Sequence, residues 1–257
     1  MIPAPNRVMF TIEDFPIFWY GVIVASAVFV CYLLIPKLIT GDKKLVDKFQ
    51  HWFGFILLVG FIGARLFEVF FYSPDYFMAN PWQIVNTRLG GLSIFGGIIG
   101  AGAVLLLLQT YFKGKWLQIV DVVGVLAPLG QAIGRWGNYF NQELYGLPCT
   151  YWWCLKIDLE NRLPAWQAFS SFHPTFLYES ILLIVLFVFL WKQKAKIGTG
   201  YLVGVYLMGY GLIRFLVEFV RIDTQAIFGL KWPQLVALLM FFVGLFIYIY
   251  RNKKVKV

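Results

Sequence analysis

The sequence predicts an all-α, polytopic membrane protein with seven transmembrane helices, its N-terminus outside and its C-terminus cytoplasmic. Three observations predict this. Of 257 residues, 60% are hydrophobic and 14% charged, and the mean hydropathy is +0.72. A soluble domain of this length has too little interior to hide so much apolar surface. Between clusters of charge lie apolar stretches of about 20 residues, long enough to cross roughly 30 Å of hydrocarbon as helices. The basic residues, finally, alternate between rich and poor connections.

The expected spans cover about 15–35, 52–72, 92–112, 119–137, 174–191, 200–220 and 233–250. One set of connections holds Lys37, Lys43, Lys44, Lys48, Lys113, Lys115, Lys192, Lys194, Lys196, Arg251, Lys253, Lys254 and Lys256. The other holds only Arg7, Arg88, Lys156, Arg162 and Lys231. Positive charge stays inside, so the first set is cytoplasmic, the N-terminus is outside, and the number of spans is odd. The same rule accounts for the net charge of +9 without nucleic acid. The N-terminus lacks the basic start, short apolar core and small-residue cleavage site of a cleavable signal, so the first span is expected to act as an uncleaved one.

No hydrophilic block is large enough to fold alone, so a single domain over 1–257 is expected. Its longest connection, at about 138–173, lies on the outer face. Trp152, Trp153, Trp166, Phe169 and Phe172 suit it to the headgroup level. Cys149 and Cys154 share that loop, where either a disulfide or two free thiols are possible, and Cys31 reads as a small core residue. In the third span Gly96 and Gly100 make a small-xxx-small face for close helix packing.

Four arginines fall inside spans: Arg65, Arg135, Arg214 and Arg221. Charge in hydrocarbon is costly and needs partners, water or a ligand. From the expected topology all four lie in outer halves of their spans, as do Tyr20 and the Gly96–Gly97 pair, and His173 opens the fifth span from that side. Tyr210, Arg214, Glu218 and Arg221, spaced four, four and three apart, form one helical stripe. This is either a buried intrahelical ion pair or the wall of an anion pocket in which Glu218 holds Arg214. The fourth span ends in Gly134-Arg135-Trp136-Gly137-Asn138-Tyr139-Phe140-Asn141-Gln142-Glu143-Leu144-Tyr145-Gly146, a dense run of distinct polar groups at the membrane surface. A guanidinium binds phosphate oxygens through two parallel bonds and stays charged when desolvated. At that depth the available phosphates belong to phospholipids.

The 134–146 segment closely resembles the signature of the prolipoprotein diacylglyceryl transferases. Further segments match in order: Trp19-Tyr20-Gly21, Gly63-Ala64-Arg65, Asp121 with Ala127-Pro128, His173-Pro174-Thr175-Phe176-Leu177-Tyr178-Glu179, Gly209-Tyr210-Gly211, and Arg214 with Glu218-Phe219-Val220-Arg221. The resemblance covers nearly the whole chain. It implies a bacterial cytoplasmic-membrane enzyme, monomeric and without metal or organic cofactor. Such an enzyme moves the diacylglyceryl group of phosphatidylglycerol onto the lipobox cysteine of a preprolipoprotein, forming a thioether and releasing glycerol phosphate. On this reading Arg135 grips the phosphate and Arg214 stabilises the leaving group. Asn138, Asn141 and Glu143 orient the headgroup glycerol. Tyr20 and Tyr210 line the pocket, which Gly146, Arg65, His173 and Arg221 complete. One position departs from the pattern: the histidine that usually precedes the Gly-Gly pair of the third span is Phe95 here. Phenylalanine takes no proton. Either nearby arginines lower the thiol pKa from about 8.5 so that no dedicated base is needed, or Glu143, Glu218 or His173 serves. The alternative is a non-catalytic or altered-specificity phospholipid-binding paralogue.

Overall fold

The computed structural model describes residues 1–87, 90–224, 226–227 and 229–255. The chain forms two compact units, one of Met1–Leu38 with Leu117–Val257 and the other of Ile39–Trp116. Most of both is helix.

The first unit opens with an antiparallel hairpin of β1 (Val8–Ile12) and β2 (Phe15–Phe18), which leads straight into α1 (Trp19–Leu38). The apolar run expected to start the first span near residue 15 is therefore partly strand. Glu13, at φ 53°, makes the turn.

The second unit holds α2 (Lys43–Phe67), a π-helical turn over Glu68–Tyr72, the short α3 (Pro74–Ala79) and α4 (Ile94–Leu107). Asp42 caps α2 by accepting the Leu45 N–H at 3.0 Å, satisfying one orphan donor of the first turn, and it also pairs with Lys115. Helices α2 and α4 touch backbone to backbone. A Cβ on Gly96 would lie 2.1 Å from the Gly63 carbonyl oxygen, and one on Gly100 2.6 Å from that of Val59. The small-residue face expected in the third span thus packs against the second.

The first unit resumes with α5 (Trp116–Asn141), then the β3 (Leu155–Lys156) and β4 (Ser171–Phe172) pair, α6 (Thr175–Lys192), α7 (Tyr201–Glu218), the β5 (Ala226–Ile227) and β6 (Leu230–Lys231) pair, and α8 (Trp232–Val255). At the far end from the polar 134–146 segment, Asp121 of α5 is fully buried. It accepts the N–H groups of Gly198 at 2.9 Å, Gly200 at 2.8 Å and Val203 at 3.1 Å. A carboxylate from one helix thereby caps the N-terminus of another, α7.

Among the described residues six helices are long and apolar enough to cross a membrane: α1, α2 with its π-helical continuation, α5, α6, α7 and α8. The expected third span is shorter than anticipated. Helix α4 has 14 residues, a rise of about 21 Å. The apolar residues after it wind into turns that end at Lys113 and Gly114, both with positive φ. The three small strand pairs likewise depart from a purely helical chain. Polarity is arranged as a bilayer demands. Phe29, Leu107, Leu239 and Phe246 are exposed, while Asp121, Glu179 and Glu218 are buried. Between α5 and α6 a small core of Tyr145, Leu155, Ile157, Phe172 and Phe176 anchors the long connection. A Cys149–Cys154 disulfide closes its tip, and Trp152 there is 79% exposed.

Candidate active site

The site grows from the last turns of α5, the first turns of α6 and the end of α7, all in the first unit. On α5, Arg135 and Asn138 share a face, and Arg135 Nη1 donates to Asn138 Oδ1 at 3.2 Å. Asn138 and Asn141 both donate to Glu143 Oε1, at 2.8 and 3.2 Å. Glu143 lies just past the helix end, and only an unusual backbone turns its carboxylate back toward these amides. Its neighbours Gln142 and Leu144 both adopt the left-handed region, at φ 54° and 57°, which costs about 1–2 kcal/mol per non-glycine residue. Side chains hold this shape. Buried Gln142 donates to Pro5 O at 3.0 Å and Asp158 Oδ2 at 2.6 Å, and accepts the Asp158 N–H at 2.8 Å. Thr175 donates to the Leu144 carbonyl.

Glu179, at the start of α6, is the centre of the charge network and is 2% exposed. Its Oε1 lies 2.8 Å from Arg135 Nη2 and its Oε2 3.6 Å from Arg214 Nη1. Arg214 also pairs with Glu218 at 2.7 Å. Glu218 is fully buried and further accepts from Thr224. Arg214 Nη1 is buried, and it faces Glu179 Oε2 from just beyond hydrogen-bond distance. The Tyr210 hydroxyl interacts with Arg135. The ring of Tyr20 lies over Gly137, where a Cβ would come within 2.5 Å of it, and its hydroxyl feels both Glu143 and Arg135.

Of the remaining expected residues, Arg221 reaches the network, its Nε 3.7 Å from Glu218 Oε2, and the others are engaged elsewhere. Arg221 forks onto Asp223, with Nε to Oδ1 at 2.8 Å and Nη2 to Oδ2 at 2.5 Å. Burial pushes the Asp223 carboxyl up, but this pairing outweighs it and holds the group below the usual carboxylate range. Gly146 gives its N–H to the His173 carbonyl at 2.9 Å. With no side chain it lets Val220 and His173 close on it, where a Cβ would sit 2.9 Å from Val220 O and 3.0 Å from His173 Cβ. His173 Nδ1 meets the Tyr178 hydroxyl at 2.9 Å. Arg65 lies in the second unit, and all five of its N–H donors are directed to carbonyls there: Ile84, Gly90, Gly91, Gln83 and Asn86. A guanidinium saturated in this way organises a loop and has no donor left for a ligand. Phe95 sits beside Phe67, ring centroids 6.2 Å apart.

Two features go beyond the sequence reading. In the sequence Glu179 is only one residue of a motif; the cost of an unpaired carboxylate within a span is the signal that singles it out. An apolar groove of about 620 Å³ also runs beside the network, lined among others by Trp19, Ile23, Ile133, Trp136, Ile181 and Ile184. Its polar lining residue, Ser180, is neutralised by donating to Ala132 O at 3.0 Å.

Fold and site together define a multi-pass membrane protein with a buried arginine–carboxylate network flanked by an apolar groove. A family model for prolipoprotein diacylglyceryl transferase matches residues 7–250. The chain is 35% identical to a relative from Fervidobacterium nodosum, covering 94% of this chain and 84% of that one. It is 36% identical to one from Synechocystis sp., covering 94% and 87%, and 33% identical to one from Finegoldia magna, covering 97% of each. All three are named phosphatidylglycerol–prolipoprotein diacylglyceryl transferase. The chain belongs to the prolipoprotein diacylglyceryl transferase family.

Proposed function

We propose that this protein transfers the diacylglyceryl group of phosphatidylglycerol to the lipobox cysteine of preprolipoproteins in the bacterial cytoplasmic membrane. The observation that carries the reading is the sharing of Glu179 by Arg135 and Arg214. It draws two guanidiniums from different helices into one pocket and pre-orients them before any ligand arrives. The cysteine thiolate attacks the glycerol carbon bonded to the phosphoester oxygen. A C–S bond forms, the C–O bond breaks, and its electron pair leaves on glycerol phosphate. The phosphodiester's single negative charge becomes two, and fixed arginines stabilise that gain in the transition state more than in the ground state.

Roles follow depth along α5. Glu143, with Asn138 and Asn141, binds the headgroup glycerol at the outer end. Arg135 and Arg214 hold the phosphate, with Tyr20 and Tyr210 beside it. The groove at Trp19, Ile133 and Ile181 accepts acyl chain. Glu218, buried and doubly engaged, positions Arg214, and Arg221 with Asp223 braces the end of α7. Gly146 and His173 hold the chain entering α6, and Arg65 holds the carbonyls of Gln83, Ile84, Asn86, Gly90 and Gly91. With phenylalanine at position 95, the thiol loses its proton to solvent, its pKa lowered by the arginine field. No cofactor takes part, since positioning and charge suffice. With α4 counted as a crossing the spans number seven, which puts the N-terminus outside and the C-terminus in the cytoplasm by the positive-inside rule. The enzyme acts as a monomer.

The test is thioether formation on a lipobox peptide by purified protein supplied with phosphatidylglycerol. Wild type is expected to lipidate the peptide, and Arg135→Ala to lose about 10²–10³-fold in kcat. Wild-type rates from Arg135→Ala would refute the phosphate assignment.

A further inference from the structure

The polar seam does not stop at the arginines. One turn further along α5 from Arg135, away from the Glu143 end, stands Gln131. One turn further along α7 from Tyr210 stands Tyr206. Gln131 Nε2 and the Tyr206 hydroxyl are 2.9 Å apart, and the Tyr206 and Tyr210 rings stack with centroids 5.9 Å apart. The pair lies about 6 Å below Arg135 along the helix, under the level of the phosphate.

This pair is incompletely satisfied. Gln131 Oε1 is buried and has no hydrogen-bond partner among the described residues. Whichever way the amide is turned, one contact between an amide and a phenol leaves at least one donor and one acceptor unused. In a hydrocarbon surround such groups cost about 1–3 kcal/mol each. The complement of a donor and an acceptor side by side is a backbone amide. A lipid ester offers acceptors only, and an acyl chain offers neither. The chemistry adds direction. Displacement at carbon requires the sulfur to enter opposite the departing oxygen, so with the phosphate held by Arg135 and Arg214 the nucleophile sits away from them. Along this seam the next polar groups are Gln131 and Tyr206.

We infer that Gln131 and Tyr206 form a peptide-reading subsite that hydrogen-bonds a backbone amide of the lipobox, locally unwound, and so places the cysteine sulfur. This rests on the transferase reading of the same site. The two are separated by measuring binding apart from turnover. A fluorescent lipobox peptide with serine in place of cysteine is titrated onto the full chain in nanodiscs, and a set of such peptides carries a single N-methyl group at each lipobox amide in turn. Gln131→Leu and Tyr206→Phe are each expected to weaken peptide binding on the order of ten-fold while leaving the KM for phosphatidylglycerol unchanged. N-methylation at one position is expected to weaken wild-type binding similarly and to add little to Gln131→Leu. The inference is overturned if no N-methyl position matters to wild type, if its effect adds fully to that of Gln131→Leu, or if the variants raise the lipid KM instead. Thioether formation by wild type from the cysteine peptide is the separate arm. Its failure would sink the transferase reading whatever the binding data say.

Discussion

Glu179 Oε1 lies 2.8 Å from Arg135 Nη2, and the other oxygen of the same carboxylate faces Arg214 at 3.6 Å. One buried anion therefore aligns two cations that would otherwise repel each other in a low-dielectric surround. Removing its charge while keeping its shape isolates that role. Glu179→Gln is expected to lower kcat by on the order of ten- to a hundred-fold, because the guanidiniums lose their orientation before the phosphate arrives. Glu179→Ala leaves two buried cations short of a partner and is expected to lose about 3–5 kcal/mol of stability. Rates and thermal unfolding in detergent read the two effects separately. Wild-type kcat in Glu179→Gln would show that the alignment does not matter.

Arg135 meets Asn138 through Nη1 and Glu179 through Nη2, a geometry that needs a planar fork. Arg135→Lys keeps the charge and loses the fork. At least a ten-fold drop in kcat/KM is expected with no change in the amount of folded protein. Full activity in the lysine variant would mean that point charge alone suffices.

The backbone around Glu143 provides a test remote from the phosphate. Gln142→Ala removes the side-chain bonds to Pro5 and Asp158 that hold a left-handed residue in place. The turn is expected to relax and Glu143 to swing away from Asn138 and Asn141. The predicted signature is a several-fold rise in KM for phosphatidylglycerol with a smaller change in kcat. The opposite split would place Glu143 in the chemical step.

Acid should reveal the Arg221–Asp223 pair. Because the folded carboxyl sits below the ordinary range, its contribution is present above the unfolded value of about 3.9 and is lost as pH falls through the folded value. Asp223→Asn is therefore expected to lower the melting temperature by a few degrees at pH 7. The gap to wild type should close as pH drops below about 4. A gap that persists undiminished in acid would show that the loss came from packing.

Periodicity made much of this legible beforehand. The stripe of Tyr210, Arg214 and Glu218 needed only helical spacing, although Arg221, expected to continue it, lies past the end of α7 and bridges to Gly146 instead; the 134–146 run announced itself by polar groups too dense for a helix end. Close packing of α4 followed from small residues four apart; that its neighbour is α2 did not. Other features depend on partners distant in the chain. Nothing near Glu179 in sequence marks it as the counterion of both arginines, which lie 44 positions before and 35 after it. Arg65 read as a site residue because its burial in a span demanded a partner, yet backbone carbonyls from 83–91 meet that demand, and carbonyls have no sequence signature. Helix α4 fell short because hydropathy does not register that residues 108–114 form turns. The groove is a gap between helices, invisible to any one of them.

Asp121 sets where the two helices that carry the arginines are fixed to each other. By gripping three backbone amides ahead of and within the first turn of α7, it ties that helix to α5 at the end remote from Arg135 and Arg214. The spacing of the two guanidiniums is thereby anchored from the opposite end of the helices as well as by Glu179 between them.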